Sequence, residues 1–391
     1  MDSICPNCHA SGMDVFFEAR DIPVHSCMML EDRQAAVDYP TRDLALGFCR
    51  ACGFISNVLF DPNVQEYAEG YEEQQSFSPR FCAFQTSLIA RLIDRYDLRD
   101  KDVVEIGCGK GDFLIELCEA GGNRGVGIDP ACDPLRFADR GAGRVRFIAE
   151  LYSAAHADLA CDFLCCRHTL EHIHPTSEFI GRFRQVLGDN EGVVVLLEVP
   201  DVGRVLRERA FWDIYYEHCS YFGLGSLARL FRANHFDVVD LTKDFDDQYL
   251  LLVARPVDAP TSACLDEEDD LEQITGEVEA FSSGVRDRIA GLHAQVAGLR
   301  DAGKRVAIWG SGSKCVSFLS TVGVGDEIDA VVDINPHRQG KFLAGSGKQV
   351  VAPAFLQANR IDAILVMNAV YCAEIQRQID EMGVSAELIP V

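Results

Sequence analysis

Three groups of residues in this chain have types and spacings that can do chemistry. The first is Glu105-Ile106-Gly107-Cys108-Gly109-Lys110-Gly111, which follows the apolar Val103-Val104 and runs straight into Asp112-Phe113-Leu114. It reads as a buried strand, a glycine turn and a helix start, and glycines there let the backbone turn tightly and approach a ligand closely. A dinucleotide fingerprint has the spacing G-x-G-x-x-G, whereas this loop is E-x-G-x-G-x-G. Asp129, closing the short strand Gly125-Val126-Gly127-Ile128, stands about 20 residues further on, where a carboxylate accepts ribose hydroxyls.

The second group is a pair of C-x-x-C knuckles, Cys5/Cys8 and Cys49/Cys52. Each knuckle places two thiolates on one ion. Four thiolates close a tetrahedral zinc site with no position left for water or substrate, so the zinc is expected to be structural. The gap between the knuckles exceeds the usual ribbon spacing, and a lobe carrying its own hairpin fills it. His9, His25 and Cys27 are weaker candidate ligands. The third group is Phe211-Trp212-Asp213-Ile214-Tyr215-Tyr216-Glu217-His218-Cys219-Ser220-Tyr221-Phe222. Phenol, carboxylate and imidazole stand within four residues, immediately before a helix over 224–233 whose start holds them at a cleft mouth.

Doubly wound α/β architecture is needed to position these groups. Residues 162–166 and 193–200 read as buried strands, and 235–241 with 249–254 as the closing strands of the same sheet. Ahead of the glycine loop stand Tyr67, Tyr71 and Phe77, then an amphipathic helix through Phe81, Phe84, Leu88, Leu92 and Ile93; the aromatic stretch is placed to line an acceptor pocket or to pack. Composition changes at Pro256, and the acidic run Asp266–Asp270 opens a long polar helix towards Leu299. A second strand-loop-helix, Arg305 to Val316, carries Gly310-Ser311-Gly312-Ser313-Lys314, where helix amides and an ammonium can take a pyrophosphate. The expected division is a zinc lobe over 1–70, a central domain over 71–256, a helical linker over 257–302 and a small Rossmann-like α/β domain over 303–391. His168, His172 and His174 are expected to serve structure or the cofactor pocket, not a metal, and Cys161, Cys165 and Cys166 to be core.

A length of 391 residues implies two or three domains. The formal charge of −25, from 61 acids and 36 bases, argues against affinity for nucleic acid backbone or an anionic membrane. Any anionic substrate therefore needs a local basic pocket. No apolar run reaches the length of a membrane span, and the start of the sequence has neither a basic nor an apolar leader region. A cytoplasmic protein is expected, and the 16 cysteines read as reduced thiols and metal ligands, not disulfides.

The glycine loop, Asp129 and the 168–173 segment together resemble class I S-adenosylmethionine-dependent methyltransferases. Over nearly the whole chain, the order of parts resembles the three-domain sugar C-methyltransferases that act on nucleotide-linked keto-deoxysugars: a four-cysteine lobe, a methyltransferase domain, the Y-x-E-H-x-x-Y-F stretch, and a C-terminal domain with G-x-S-x-K and Val332-Asp333-Ile334-Asn335-Pro336. The resemblance implies a class I methyltransferase (Rossmann-like) core, S-adenosylmethionine held by Glu105, Gly107, Gly109, Gly111, Asp129 and His168, and structural zinc. It implies His218 as general base, Glu217 orienting it or binding sugar hydroxyls, and Tyr215 and Tyr216 donating to an enolate oxygen. Tyr71, Tyr221, Ser313 and Lys314 are the expected substrate contacts. One departure stands out: where the family carries neutral, serine-rich residues, this chain has Tyr71-Glu72-Glu73-Gln74-Gln75, which bears on the acceptor. The other readings are an O- or N-methyltransferase, with His218 deprotonating a hydroxyl or amine, and a non-catalytic cofactor-binding scaffold, against which the intact loop argues.

Overall fold

The structure, a computed structural model, describes residues 4–64, 70–132, 143–188, 190–261 and 263–391; Tyr67 lies outside them. Its centre is a seven-stranded sheet. From one edge the order is Phe236–Asp244, Tyr249–Pro256, Val194–Pro200, Phe163–Arg167, Asp102–Ile106, Arg124–Ile128 and Val145–Ile148. The last five are mutually parallel and the first two antiparallel. Parallel strands are buried on both faces, which is why their sequences are nearly continuous apolar runs. The antiparallel pair is joined by a tight turn in which Phe245, Asp246 and Asp247 all have left-handed φ.

Strand order doubles back between Asp102–Ile106 and Phe163–Arg167. At such a reversal the helices that follow neighbouring strands leave on opposite faces, opening a crevice beyond the carboxyl ends. The helix Pro79–Tyr96 flanks it, started by Ser78, whose side chain accepts from Phe81 N, and by Pro79 in the first turn. Its apolar stripe, Phe81, Phe84, Leu88 and Leu92, is buried against Phe113, Leu114 and Leu117 of the helix Asp112–Gly121.

The cysteine lobe is not self-contained. Its four-stranded sheet runs Asp14–Pro23, Thr41–Phe48, Ile55–Asn57 and then Ser220–Tyr221, so the last strand comes from the tyrosine, glutamate and histidine stretch. Ser220 pairs with Ser56 and Tyr221 with Ile55. Met29–Leu30 pairs in turn with Phe342–Leu343 of the C-terminal unit, whose own five-stranded sheet is parallel. The helix Leu271–Asp301 is polar overall, yet it buries Ile274, Val278, Phe281, Val285, Leu292 and Val296 in the same core as Phe17, Val205 and Phe318. Spacing near 3.6 puts these on one stripe, so the helix packs the lobe, the helix Val202–Glu208 and the C-terminal unit together. Among the described residues, no helix is long and apolar enough to cross a membrane.

Candidate active site

The crevice opens into a cavity of about 540 Å³, floored by the glycine loop and roofed by the C-terminal unit. Gly107, Gly109 and Gly111 have φ of 68°, 52° and 87°, values that favour glycine. A Cβ on Gly107 would lie 1.9 Å from Thr169 Oγ1, and one on Gly111 would lie 2.4 Å from the Phe147 ring. Gly109 N donates to Asp129 Oδ2 at 2.9 Å, so the carboxylate both props the loop and lines the cavity. We expect Gly107→Ala to weaken S-adenosylhomocysteine binding at least about tenfold through combined strain and collision; wild-type affinity in a calorimetric titration would contradict this.

Below the loop lies a buried charge network. Glu105 is 3% exposed and its Oε2 has no hydrogen-bond partner among the described residues; burial pushes its pKa up to about 8, against the pull of Arg167. Arg167 makes a two-pronged pair with Glu198, at 2.9 and 3.0 Å, and lies 4.0 Å over the Phe113 ring centre. His168 Nε2 meets Glu198 Oε1 at 2.7 Å, and its Nδ1 lies 3.4 Å from Glu171 Oε1. Burial opposes a charge on His168, but the two carboxylates win and raise it to about 9. Burial likewise opposes a charge on Glu198, yet Arg167 and His168 hold it at about 2.

The sign of the pH effect follows. His168 titrates at 6.5 when unperturbed and at about 9 here, so its contribution to stability is complete below 6.5 and is lost as pH rises through 9. That of Glu198 is complete above 4.5 and is lost as pH falls through about 2. Thermal unfolding should therefore shift to lower temperature between pH 7 and about 9.5, and His168→Asn should flatten that limb; a His168→Asn curve parallel to wild type would refute the assignment.

At the far wall are His218 and Tyr215. The chain bends at Tyr216 and Glu217, which turns Tyr215 and His218 to the same side, with ring centres 4.6 Å apart. His172 packs edge-on to His218 at 4.7 Å. His218 is held well below its ordinary pKa, first by burial and then by His172 and His168, and among the described residues none hydrogen-bonds its ring. Tyr215 donates to Asp213 Oδ1 at 2.9 Å. Asp213 also receives Arg204 and Lys314; burial raises its pKa, but these two cations hold it well below the usual carboxylate range. Burial lowers Lys314, with Asp213 opposing. Ser313 and Lys314 line the cavity, Ser313 Oγ lying 3.1 Å from Cys27 Sγ, and Tyr71 lines it beside them.

Three expectations are corrected here. Tyr216 is outside the cavity: its hydroxyl accepts from Asp61 N at 2.9 Å and donates to Leu59 O. Tyr221, a strand residue of the lobe sheet, is turned inward and bonds the backbone of Tyr215 through both N and O. Glu217 does not orient His218; it accepts from Ser26 N at 2.8 Å, from Ser26 Oγ and from Tyr71 at 3.0 Å, fixing the 25–27 segment and Tyr71. His174 stacks on Phe60, apart from His168 and His172. Sequence reasoning missed Glu171, Arg167, Glu198 and Asp213. An acid ending the apolar run 193–197 was the available signal for Glu198.

The acidic departure at 72–73 is largely structural. Glu72 is buried, accepts from Asn335 Nδ2 at 3.2 Å and passes its carbonyl to Arg338. Glu73 does line the cavity, its pKa raised by burial against the pull of Lys110.

In the lobe, the sulfurs of Cys5, Cys8, Cys49 and Cys52 all lie within 4.8 Å of one another, with Cys5–Cys52 and Cys8–Cys49 at 3.7 Å. A tetrahedron with metal–sulfur bonds of about 2.3 Å has edges of about 3.8 Å, so the set fits zinc.

Comparison with known proteins decides the chemistry. The chain matches the family described as a methyltransferase domain over residues 71–241 and the C-methyltransferase C-terminal domain over residues 253–387. The C-methyltransferase NovU of Streptomyces niveus is 30% identical over 347 residues, spanning 84% of this chain and 80% of NovU. The chain belongs to the C-methyltransferase family. It is an S-adenosylmethionine-dependent methyltransferase with a class I, Rossmann-like core. Solved structures similar to it include a 1,6-didemethyltoxoflavin-N1-methyltransferase from Burkholderia thailandensis with bound S-adenosylhomocysteine, at 21% identity over 44% of this chain and 79% of that one, TM-score 0.35. The magnesium protoporphyrin IX methyltransferase of Synechocystis PCC 6803 is similar at 18% identity over 49% of this chain and 90% of that one, TM-score 0.36.

In the C-methyltransferase the glycine cradle fits the cofactor. Any side chain on Gly107 or Gly111 would strike Thr169 or Phe147, and the unpartnered Glu105 oxygen sits beneath the loop.

Proposed function

We propose that this enzyme methylates a carbon next to a ketone on a nucleotide-linked sugar, with His218 as the base. S-adenosylmethionine, when bound, would be held by Gly107, Gly109, Gly111 and Asp129 and would supply an electrophilic methyl group on a sulfonium, leaving as S-adenosylhomocysteine. His218 takes the acceptor's α-proton, and the C–H electron pair moves onto the ketone oxygen as an enolate. Tyr215 is the phenol placed to donate to that oxygen: its one O–H turns from Asp213 Oδ1, 2.9 Å away, to the enolate, while Asp213 keeps Lys314 and Arg204. The carbanion carbon, held in line by the cavity walls, then receives the methyl.

The observation that carries this reading is the pairing of Tyr215 with an imidazole that none of the described residues hydrogen-bonds, in the cavity that the glycine loop also lines. Burial keeps that imidazole neutral, the form a base requires. Lys314 and Arg338 are cations of the cavity lining and Ser313 a hydroxyl donor beside Lys314, groups that suit a diphosphate once Lys314 exchanges its bond to Asp213 for the ligand. The four lobe cysteines hold a structural zinc whose work is to fix the strand 220–221, and through it His218.

Calorimetric titration with S-adenosylhomocysteine, followed by thymidine diphosphate on the cofactor-bound form, tests the acceptor class. Both should bind. Binding of the first alone would remove the nucleotide from the proposal and leave a methyltransferase of another small metabolite.

A further inference from the structure

Glu171 is a buried carboxylate that the mechanism above leaves unused. It is 2% exposed, it sits in the short turn Leu170–His172, and it lines the cavity. Oε1 faces His168, whereas Oε2 has no hydrogen-bond partner among the described residues. A carboxylate oxygen of Glu171, a ring nitrogen of His172 and a ring nitrogen of His218 lie within 4.8 Å of one another. A buried carboxylate with an unsatisfied oxygen is costly unless some state of the protein uses it.

Proton abstraction supplies such a state. When His218 takes the α-proton it becomes an imidazolium in a site that disfavours cations. The groups facing it are Tyr215 and Tyr221 from its own segment, His172, His168 and Glu171 from the turn after Phe163–Arg167, and Asp213 and Lys314 at the roof. Asp213 is committed to Lys314 and Arg204. His168 lies between the two carboxylates, its Nδ1 3.4 Å from Glu171 Oε1 and its Nε2 2.7 Å from Glu198 Oε1. We propose that Glu171 is a positioning residue whose carboxylate provides the counter-charge to the imidazolium formed on His218. The step balances: the acceptor loses a proton and gains the methyl, the proton stays on His218 opposite Glu171, and it leaves to water as product departs.

This rests on His218 being the base, and the test separates the two claims. The full-length, zinc-loaded enzyme with S-adenosylhomocysteine bound is incubated in deuterated buffer with a thymidine-diphosphate-linked keto-deoxy sugar, and exchange at the α-carbons is followed from about pH 3 to 9, far enough down to include the acid limb, for wild type, Glu171→Gln and Glu171→Asp. Loss of the counter-charge lowers the His218 pKa, so Glu171→Gln should move the acid limb of the profile down by about one pH unit while its plateau falls at least about tenfold. Glu171→Asp, which keeps the charge, should recover much of the plateau; it also serves if the glutamine variant does not fold. A purely structural role would lower the plateau without moving the limb. Wild-type rates in a Glu171→Gln variant of normal cofactor affinity would overturn the role of Glu171 and leave His218 as base. Absence of exchange in wild type would overturn the His218 reading and this one with it. A second equivalent of metal beyond the lobe zinc, lost in His218→Ala, would also overturn it, because the cluster would then be a metal site.

Discussion

Replacing His218 with alanine should lower turnover by about 10²–10⁴-fold, the usual worth of a positioned general base, with S-adenosylhomocysteine affinity and thermal stability close to wild type. Selectivity is expected because Gly109 is bonded to Asp129 and Arg167 to Glu198, and among the described residues none of them hydrogen-bonds the His218 ring. Burial next to His172 holds the imidazole below its ordinary value, so turnover in wild type should stay level as pH falls past 6.5, the unperturbed histidine value. Steady-state rates against pH check both points. A variant that keeps near-normal turnover, or a wild-type acid limb above pH 6.5, would remove His218 as the base.

Cys49→Ser should be the most damaging change to folding. Zinc bound by four thiolates contributes apparent free energies of about 10–16 kcal/mol, comparable to the whole stability of a typical domain, about 5–15 kcal/mol. Cys49 ends the strand Thr41–Phe48 and accepts Gly53 N through its carbonyl, in a turn that Gly53 closes with φ of 74°. Without the metal the lobe loses the anchor of the sheet to which Ser220–Tyr221 belongs, so His218 should also lose its fixed position. The expected results are loss of metal by elemental analysis, a fall in melting temperature far larger than that of a typical surface substitution, and reduced turnover in whatever folds. A metal-free variant that melts with wild type would show that the four thiols are packing residues.

Much of this fold and site is legible in the amino-acid sequence. The glycine loop, Asp129 and both cysteine knuckles are local patterns, in which function depends on a few residues close in sequence. The division of labour inside Tyr215-Tyr216-Glu217-His218 is not. Spacing gives no account of a bend at 216–217, and it is this bend that sends Tyr216 to Leu59 and Asp61 and Glu217 to Ser26 and Tyr71. Tyr221 follows the alternation of its strand and faces inward. Glu198 is invisible for a different reason: Arg167 and His168 stand 31 and 30 residues away from it and meet it only because their strands are neighbours; Glu171 is close to His168 in sequence, but its approach to His218 is made by the fold. The acids at 72–73 read as a change in the acceptor pocket, whereas Glu72 in fact fastens the segment to Asn335 and Arg338.

The most direct test of the central claim is to supply S-adenosylmethionine labelled with carbon-13 in its methyl group together with a thymidine-diphosphate-linked 4-keto-6-deoxy sugar, and to locate the label by NMR. The account predicts a methyl resonance on a ring carbon next to the ketone, absent with His218→Ala. A methoxy resonance, or label on nitrogen, would contradict carbon methylation through an enolate.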